Sequence, residues 1–170
     1  IYLVDLRNGE IIDMESDYNP QIKFGEDIIN RIIYASKKGG LEKLREVVVD
    51  SINNLIWKLL LNSRVDANDI VSIMIAGNST MMHLFYGVSP RYIREEPYVT
   101  VANKFPCSTA GEIGIKHIKN AYIYSIQGVA SYLGGDITSG ILATGMFNKK
   151  ELSLFLDLGT NGELVVGNSE

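Results

Sequence analysis

Cys107 is the only cysteine in 170 residues. A single thiol makes no internal disulfide, and alone it holds neither zinc nor an iron–sulfur cluster. It fits a reducing, cytoplasmic setting. Proline is scarce too, at four residues, which with sixteen glycines excludes a collagen-like or low-complexity chain. Positive charge is not in excess: 16 Lys and Arg face 20 Asp and Glu, a formal net charge of −4. Such a chain carries no electrostatic footprint for nucleic acid or an anionic membrane. Any phosphate must therefore be held by backbone amides, helix ends or metal. Long hydrophobic runs are also missing. Leu55 to Leu61 and Ile70 to Ala76 are interrupted or far too short to span a bilayer, and no basic–apolar–small signal segment opens the chain. What remains is globular: 46% apolar and 21% charged residues, enough for one ordinary domain or two small lobes.

Local patterns predict an α/β chain. Asn8-Gly9 between two apolar runs predicts a hairpin of Ile1 to Leu6 with Ile11 to Met14. Ile28, Ile29, Ile32 and Ile33 predict a helix from Gly25 to Ser36, stopped at Gly39-Gly40. Leu41 to Leu61 is a longer helix. Ile70 to Ala76 is an apolar run of strand length, expected to be buried on both faces. It leads through Gly77-Asn78-Ser79-Thr80 into a helix from Met81 to Tyr86. Val88 to Gly114 holds three of the four prolines and reads as a long loop with one extended piece, Tyr98 to Ala102. Ala121 to Ile126 is the next strand. Gly128 to Phe147 is a helix interrupted at Gly134-Gly135-Asp136, or begun afresh at Asp136. Leu152 to Asp157 and Glu163 to Gly167 form a closing hairpin. The chain starts at Ile1 rather than Met, already in a strand, and its last strand has no later partner; the expectation is a fragment of something larger.

Three segments bear chemistry. The closing hairpin places Asp157 at a strand end and Gly159-Thr160-Asn161-Gly162 in the turn. Glycines let the backbone approach a ligand and expose its N–H groups, Thr160 adds a hydroxyl, and a strand-end carboxylate holds Mg²⁺ through a water. The competing reading is a plain Asn-Gly turn, which leaves Asp157, Gly159 and Thr160 unexplained. In Gly134-Gly135-Asp136, Asp136 falls at or near a helix N-cap. It is either a simple cap or a carboxylate that activates a hydroxyl or water, or stands behind Mg²⁺. Gly77-Asn78-Ser79-Thr80 is either a helix cap or an anion site; it is not a P-loop, since no Gly-Lys-Ser/Thr follows. His83, His117 and Cys107 read as packing or surface residues, with no Cys–His nucleophile.

These segments resemble a known family when taken in order. Asn19-Pro20-Gln21 with Gly25-Glu26-Asp27-Ile28, then Ala76-Gly77-Asn78-Ser79-Thr80-Met81, then Gly135-Asp136, then Asp157-Leu158-Gly159-Thr160-Asn161-Gly162-Glu163, resemble the C-terminal ATPase domain of the reductive activators of corrinoid-dependent proteins. That domain belongs to the acetate and sugar kinase, heat-shock chaperone and actin (ASKHA) superfamily. The resemblance implies a ribonuclease-H-like α/β fold, a mixed sheet flanked by helices, with ATP between two lobes. Residues 1–147 would be most of the first lobe and 148–170 the first hairpin of the second. Asp157, Gly159, Thr160, Asn161 and Gly162 would form the second phosphate loop, Asp136 would orient the nucleophile and contact Mg²⁺ together with Asp157, and Gly77 and Asn78 would lie near the cleft.

The implied activity is ATP-coupled delivery of one electron to the cobalt of a corrinoid protein, from a [2Fe–2S] cluster in a domain absent from this chain. The first phosphate loop and the adenosine-binding segment are also absent, so the isolated piece is expected to bind ATP poorly and, with open sheet edges, to form homo-oligomers. The alternatives are a small-molecule kinase of the same fold, with Asp136 as base towards a substrate hydroxyl, and a non-catalytic docking module.

Overall fold

The computed structural model describes residues 1–159 and 162–170. The chain opens with β1 (Tyr2–Val4) and β2 (Ile11–Met14), an antiparallel hairpin, as its Asn-Gly signal predicts. Asp5 and Arg7 pair across its turn at 2.6 Å, and that bond to the guanidinium holds the Asp5 carboxyl at about 2. A short 3₁₀ turn (Pro20–Lys23) follows, capped by the Asn19 side chain. Gln21, for which the sequence offers no role, is fully buried and donates to the Leu44 carbonyl at 2.9 Å. Its buried amide donor is thereby satisfied, and the turn is fixed to the next long helix.

Two helices form the backing layer. α1 (Ile28–Ala35) begins three residues later than its apolar spacing suggests, because the Asp27 carboxylate caps it by accepting from the Asn30 N–H at 2.7 Å. α2 (Gly40–Ser63) begins at the second glycine of the Gly39-Gly40 pair, one residue before the expected Leu41. Gly39 sits at φ 73°, a left-handed conformation suited to glycine, and a side chain on Gly40 would collide with the Tyr34 carbonyl. Leu44, Val49, Ile56 and Leu59 of α2 are buried. Asn53 of the same helix, also buried, donates to Gly114 O and accepts from Lys116 N.

The central sheet has three strands. β3 (Ser72–Ile75) leads into α3 (Ser79–Tyr86), then the short α4 (Arg91–Arg94), β4 (Ser108–Thr109), the short α5 (Ala110–Ile113) and β5 (Tyr122–Ser125). β3 and β5 are parallel, with Ile73 opposite Ile123, and β4 runs antiparallel to β5, so the sheet is mixed, flanked by helices. Ile123 is fully buried in a core with Val49, Ile56, Phe85 and Ile113.

Two expectations are corrected here. β3 is not buried on both faces: Ile73 and Ile75 pack inward, while Met74 is 65% exposed. Ser72 and Met74, on its other face, are both exposed, so the strand is covered on one side only. Tyr98 to Ala102 does not form a strand. Its backbone is instead tied to a side chain, with Val101 N–H donating to His83 Nε2 at 3.2 Å.

α6 (Gly135–Thr144) begins afresh at Gly135, the second glycine of the Gly134-Gly135 pair. Gly134 is the N-cap, so Asp136 is the second helical residue and not the cap itself. The chain ends in β6 (Ser153–Leu158) and β7 (Gly162–Gly167), an antiparallel hairpin in continuous register. Phe155 of β6 covers Gly140 of α6 so closely that a side chain on Gly140 would strike its ring. No helix among the described residues is long and apolar enough to cross a membrane.

Candidate functional site

The loops that leave the C-terminal ends of the parallel strands β3 and β5 are fastened to each other. Ser79 Oγ donates to the Ala130 carbonyl at 2.8 Å, and Asp136 N–H points at the Gly77 carbonyl at 3.4 Å. Gly134 lies directly on the Gly77-Asn78-Ser79 backbone: a Cβ there would stand 2.6 Å from Asn78 Cα and from Ser79 N. Only glycine permits that approach. The crevice beyond strand C-termini is the general ligand position of α/β sheets.

A cleft opens at this junction. Asn78, Ser79 and Thr80 line it from α3, Asp136 from α6, and Asp157, Gly159 and Glu163 from the β6–β7 hairpin. Ile28, Ser131 and Tyr132 complete the wall. Its volume is about 100 Å³.

Each wall has a local cause. Asn78 Oδ1 accepts the Met81 N–H at 2.9 Å and so caps α3, which leaves the helix's first N–H groups without intrahelical acceptors beside the cleft. Asp136 is half-buried and accepts the Ile137 N–H at 2.9 Å. Burial pushes its carboxyl above the ordinary aspartate value, the Asp157 carboxylate adds to the rise, and the Ile137 N–H opposes it. Asp157 is cross-strand partner to Glu163. Like charges placed directly opposite are unfavourable in a sheet, so three carboxylates line one small cleft at a cost in stability. Among the described residues no three His, Cys, Asp or Glu side chains are grouped closely enough to hold a metal ion unaided.

The structure thus brings Asn78, Asp136, Asp157 and Gly159 into one place, from three separate stretches of sequence. Gly77 backs the cleft through its carbonyl. Gly162 pairs with Leu158 in the hairpin and stands outside the lining. Thr160 and Asn161 lie outside the described residues. Glu163 carries no role in the sequence reading, although a carboxylate six positions after Asp157 faces it across any hairpin centred on Thr160. Ser131 and Tyr132 gave no signal: their hydroxyls bond to the carbonyls of Tyr98 and Ile93, contacts made across more than thirty residues of chain.

The histidines and the cysteine stand apart. His83 is fully buried, with Nδ1 2.6 Å from the Ser79 carbonyl and Nε2 accepting from Val101, so both ring nitrogens are used in packing. His117 lies against Trp57, ring centroids 5.2 Å apart, and Cys107 is exposed.

Comparison with known proteins bears on this arrangement. A curated relative, the corrinoid activation enzyme RamQ of Eubacterium limosum, is 31% identical over 177 residues, an alignment covering 99% of this chain and 28% of the relative. A solved structure named reductive activator for corrinoid, iron-sulfur protein is 46% identical and superposes with a TM-score of 0.94, over 99% of this chain and 27% of that one. The chain therefore spans little more than a quarter of the length of either. Both relatives are, by name, activators of corrinoid proteins. Residues 1–149 match the family described as the RACo middle region, and with these likenesses they show that the chain belongs to that family.

Proposed function

We propose that this chain is part of the ATP-binding and ATP-hydrolysing domain of a reductive activator of a corrinoid protein, with the ribonuclease-H-like fold of the ASKHA superfamily. The observation that carries the reading is the convergence of Asn78, Asp136, Asp157 and Gly159 on one cleft beyond the ends of β3 and β5. The lobes divide at residues 147 and 148, beside the end of the family match at residue 149. Gly162, Thr160 and Asn161 complete the phosphate loop that begins at Asp157 and Gly159.

The chemistry of the cleft has two poles. One is the N-terminal end of α3, which favours negative charge. The other is the set of carboxylates, Asp136 and Asp157 with Glu163 opposite. A bare anion is repelled by the second pole and a bare cation by the first. A phosphate that carries Mg²⁺ satisfies both. Mg²⁺ is usually bound through one or two carboxylates together with substrate phosphates, so Asp136 and Asp157 fit it without a third ligand; when bound, it neutralises charge on the phosphates. Asp136 then holds the attacking water by accepting its hydrogen bond. Water oxygen joins the terminal phosphorus as its proton passes to the Asp136 carboxylate and on to solvent, the bond to the bridging oxygen breaks, and ADP and phosphate leave.

In the whole polypeptide, hydrolysis drives lobe closure and delivery of one electron to the cobalt of a corrinoid protein. The electron comes from a [2Fe–2S] cluster in another domain, since one cysteine in this chain holds none. The partner is a corrinoid protein, and the setting is cytoplasmic. Both named relatives being corrinoid activators, the small-molecule kinase reading is not carried further. The exposed outer face of the sheet, with Met74 at 65% and Tyr122 at 53% exposed, supports self-association of the isolated piece.

An ultraviolet–visible spectrum of the full-length protein purified without air tests the reading. Iron–sulfur bands that bleach with dithionite are expected, and a colourless protein would contradict it.

A further inference from the structure

Three hydroxyls in the core have no hydrogen-bond partner among the described residues: Tyr86 OH, Ser108 Oγ and Ser125 Oγ, each screened from solvent. A buried hydroxyl left unpaired costs stability, and native proteins leave few of them. These three come from α3, β4 and β5 and belong to one region. Ser108 stands opposite Ile123 across the β4–β5 pair. Ser125 lies two residues further along β5, on the same side of the strand as Ile123. Ile123 is fully buried, so both serines lie on the inner face of the sheet as diagonal cross-strand neighbours. Backbone positions so related are about 7–8 Å apart, a gap that two short side chains do not close directly. Tyr86, the last residue of α3, packs on the core that holds Ile123. Its ring lies flat on Phe105, with centroids 4.4 Å apart, which restricts where its hydroxyl points. Burial raises the Tyr86 pKa and the Ser125 hydroxyl lowers it, so those two oxygens are neighbours, yet they make no direct hydrogen bond.

We propose that these hydroxyls form a buried water site, with one water molecule bridging Tyr86, Ser108 and Ser125. A buried water typically makes about three hydrogen bonds to groups that are otherwise unsatisfied, and three are on offer. Each hydroxyl donates once and accepts twice, so the protons and lone pairs of a water find matching partners. An ion would meet no opposite charge among the three groups. The bridge joins the end of α3, whose first residues line the cleft, to the strand that leads into the Asp136 loop. The site stands independently of the ATP reading.

The test is a crystal structure of the full-length protein at a resolution that shows ordered water, together with urea unfolding of Tyr86→Phe, Ser108→Ala and the double variant. The expected result is one water about 2.5–3.0 Å from the Tyr86, Ser108 and Ser125 oxygens. The absence of a water joining Tyr86 to Ser108, with the hydroxyls bonded to one another or to main-chain carbonyls instead, would overturn the inference. Each single variant removes one partner of the shared water. The loss of urea midpoint in the double variant should therefore fall clearly short of the sum of the two single losses, and losses that add would overturn the inference. A direct Tyr86–Ser125 bond would couple those two residues and leave Ser108 additive, so the Tyr86–Ser108 pair separates the two accounts. The crystal structure needs no variant, and it decides the matter if a variant fails to fold.

Discussion

Gly134 rests on the backbone of Asn78, so close that a Cβ on the glycine would stand 2.6 Å from the Asn78 Cα. Through this contact the loop after β5 and the loop after β3 form one rigid floor, and Asp136 is carried to the same cleft as Asn78. The first prediction concerns this floor. Gly134→Ala forces backbone against backbone, with no flexible side chain to give way. A cost of about 1–3 kcal/mol is expected, as for other overpacked sites. Gly167→Ala is the control, since a Cβ there meets nothing within 4 Å, and it should unfold like wild type in urea. Equal midpoints for Gly134→Ala and Gly167→Ala would show that the two loops are not in contact.

Gly140 and Phe155 make a second close approach, between α6 and the hairpin that bears Asp157. Here the obstacle is the far end of a side chain, which can move. Gly140→Ala should push the ring aside and loosen the hairpin. Its cost should shrink in a Phe155→Ala background, because the two changes act on one contact. A double-mutant cycle measures this, and strict additivity would mean that Phe155 does not hold the hairpin to α6.

Much of this arrangement was legible in the sequence, and the failures have physical reasons. The two hairpins, the long α2 and the strand–turn–helix unit at Gly77 follow from local periodicity and turn chemistry, which act over a few residues. The grouping of Asn78, Asp136 and Asp157 was reached by resemblance, since nothing local says that residues 58 and 79 positions apart meet. β3 misled because continuous apolar character usually signals two covered faces, whereas here its outer face, with Ser72 and Met74, is exposed. Tyr98 to Ala102 misled because its order comes from His83, a residue remote in sequence. Glu163 was missed although hairpin register alone sets it opposite Asp157.

His83 supplies a pH prediction. Burial lowers its pKa from the ordinary 6.5, and the Ser79 carbonyl partly opposes this. The folded state therefore binds fewer protons than the unfolded state between the lowered value and 6.5. The stability that depends on neutral His83 is complete above pH 6.5. It falls as pH drops from there towards the lowered value, and levels off below it. NMR titration of the imidazole should give a midpoint below 6.5, with the proton on Nδ1 at neutral pH. A midpoint at or above 6.5 would contradict the burial of an uncharged ring.

Asp136 has the opposite sign. Its carboxyl is raised above the ordinary 3.8, first by burial. The fold bears the cost of this charge at neutral pH, and the cost is relieved as pH falls through the raised value towards 3.8. Asp136→Asn should therefore melt higher than wild type at pH 7, with the difference fading in acid. A variant less stable than wild type at pH 7 would show that the carboxylate is a structural cap and not a group held under strain for chemistry.

The central claim is that the cleft between α3, α6 and the last hairpin turns over ATP. The most direct measurement is steady-state ATP hydrolysis by the full-length protein with Mg²⁺, wild type against Asp136→Asn, with folding checked by melting. Loss of an acid–base or water-positioning carboxylate typically costs about 100-fold or more in rate. The account predicts a fall of that size in kcat, with Mg·ATP still bound. Wild-type hydrolysis that Asp136→Asn leaves unchanged would contradict it.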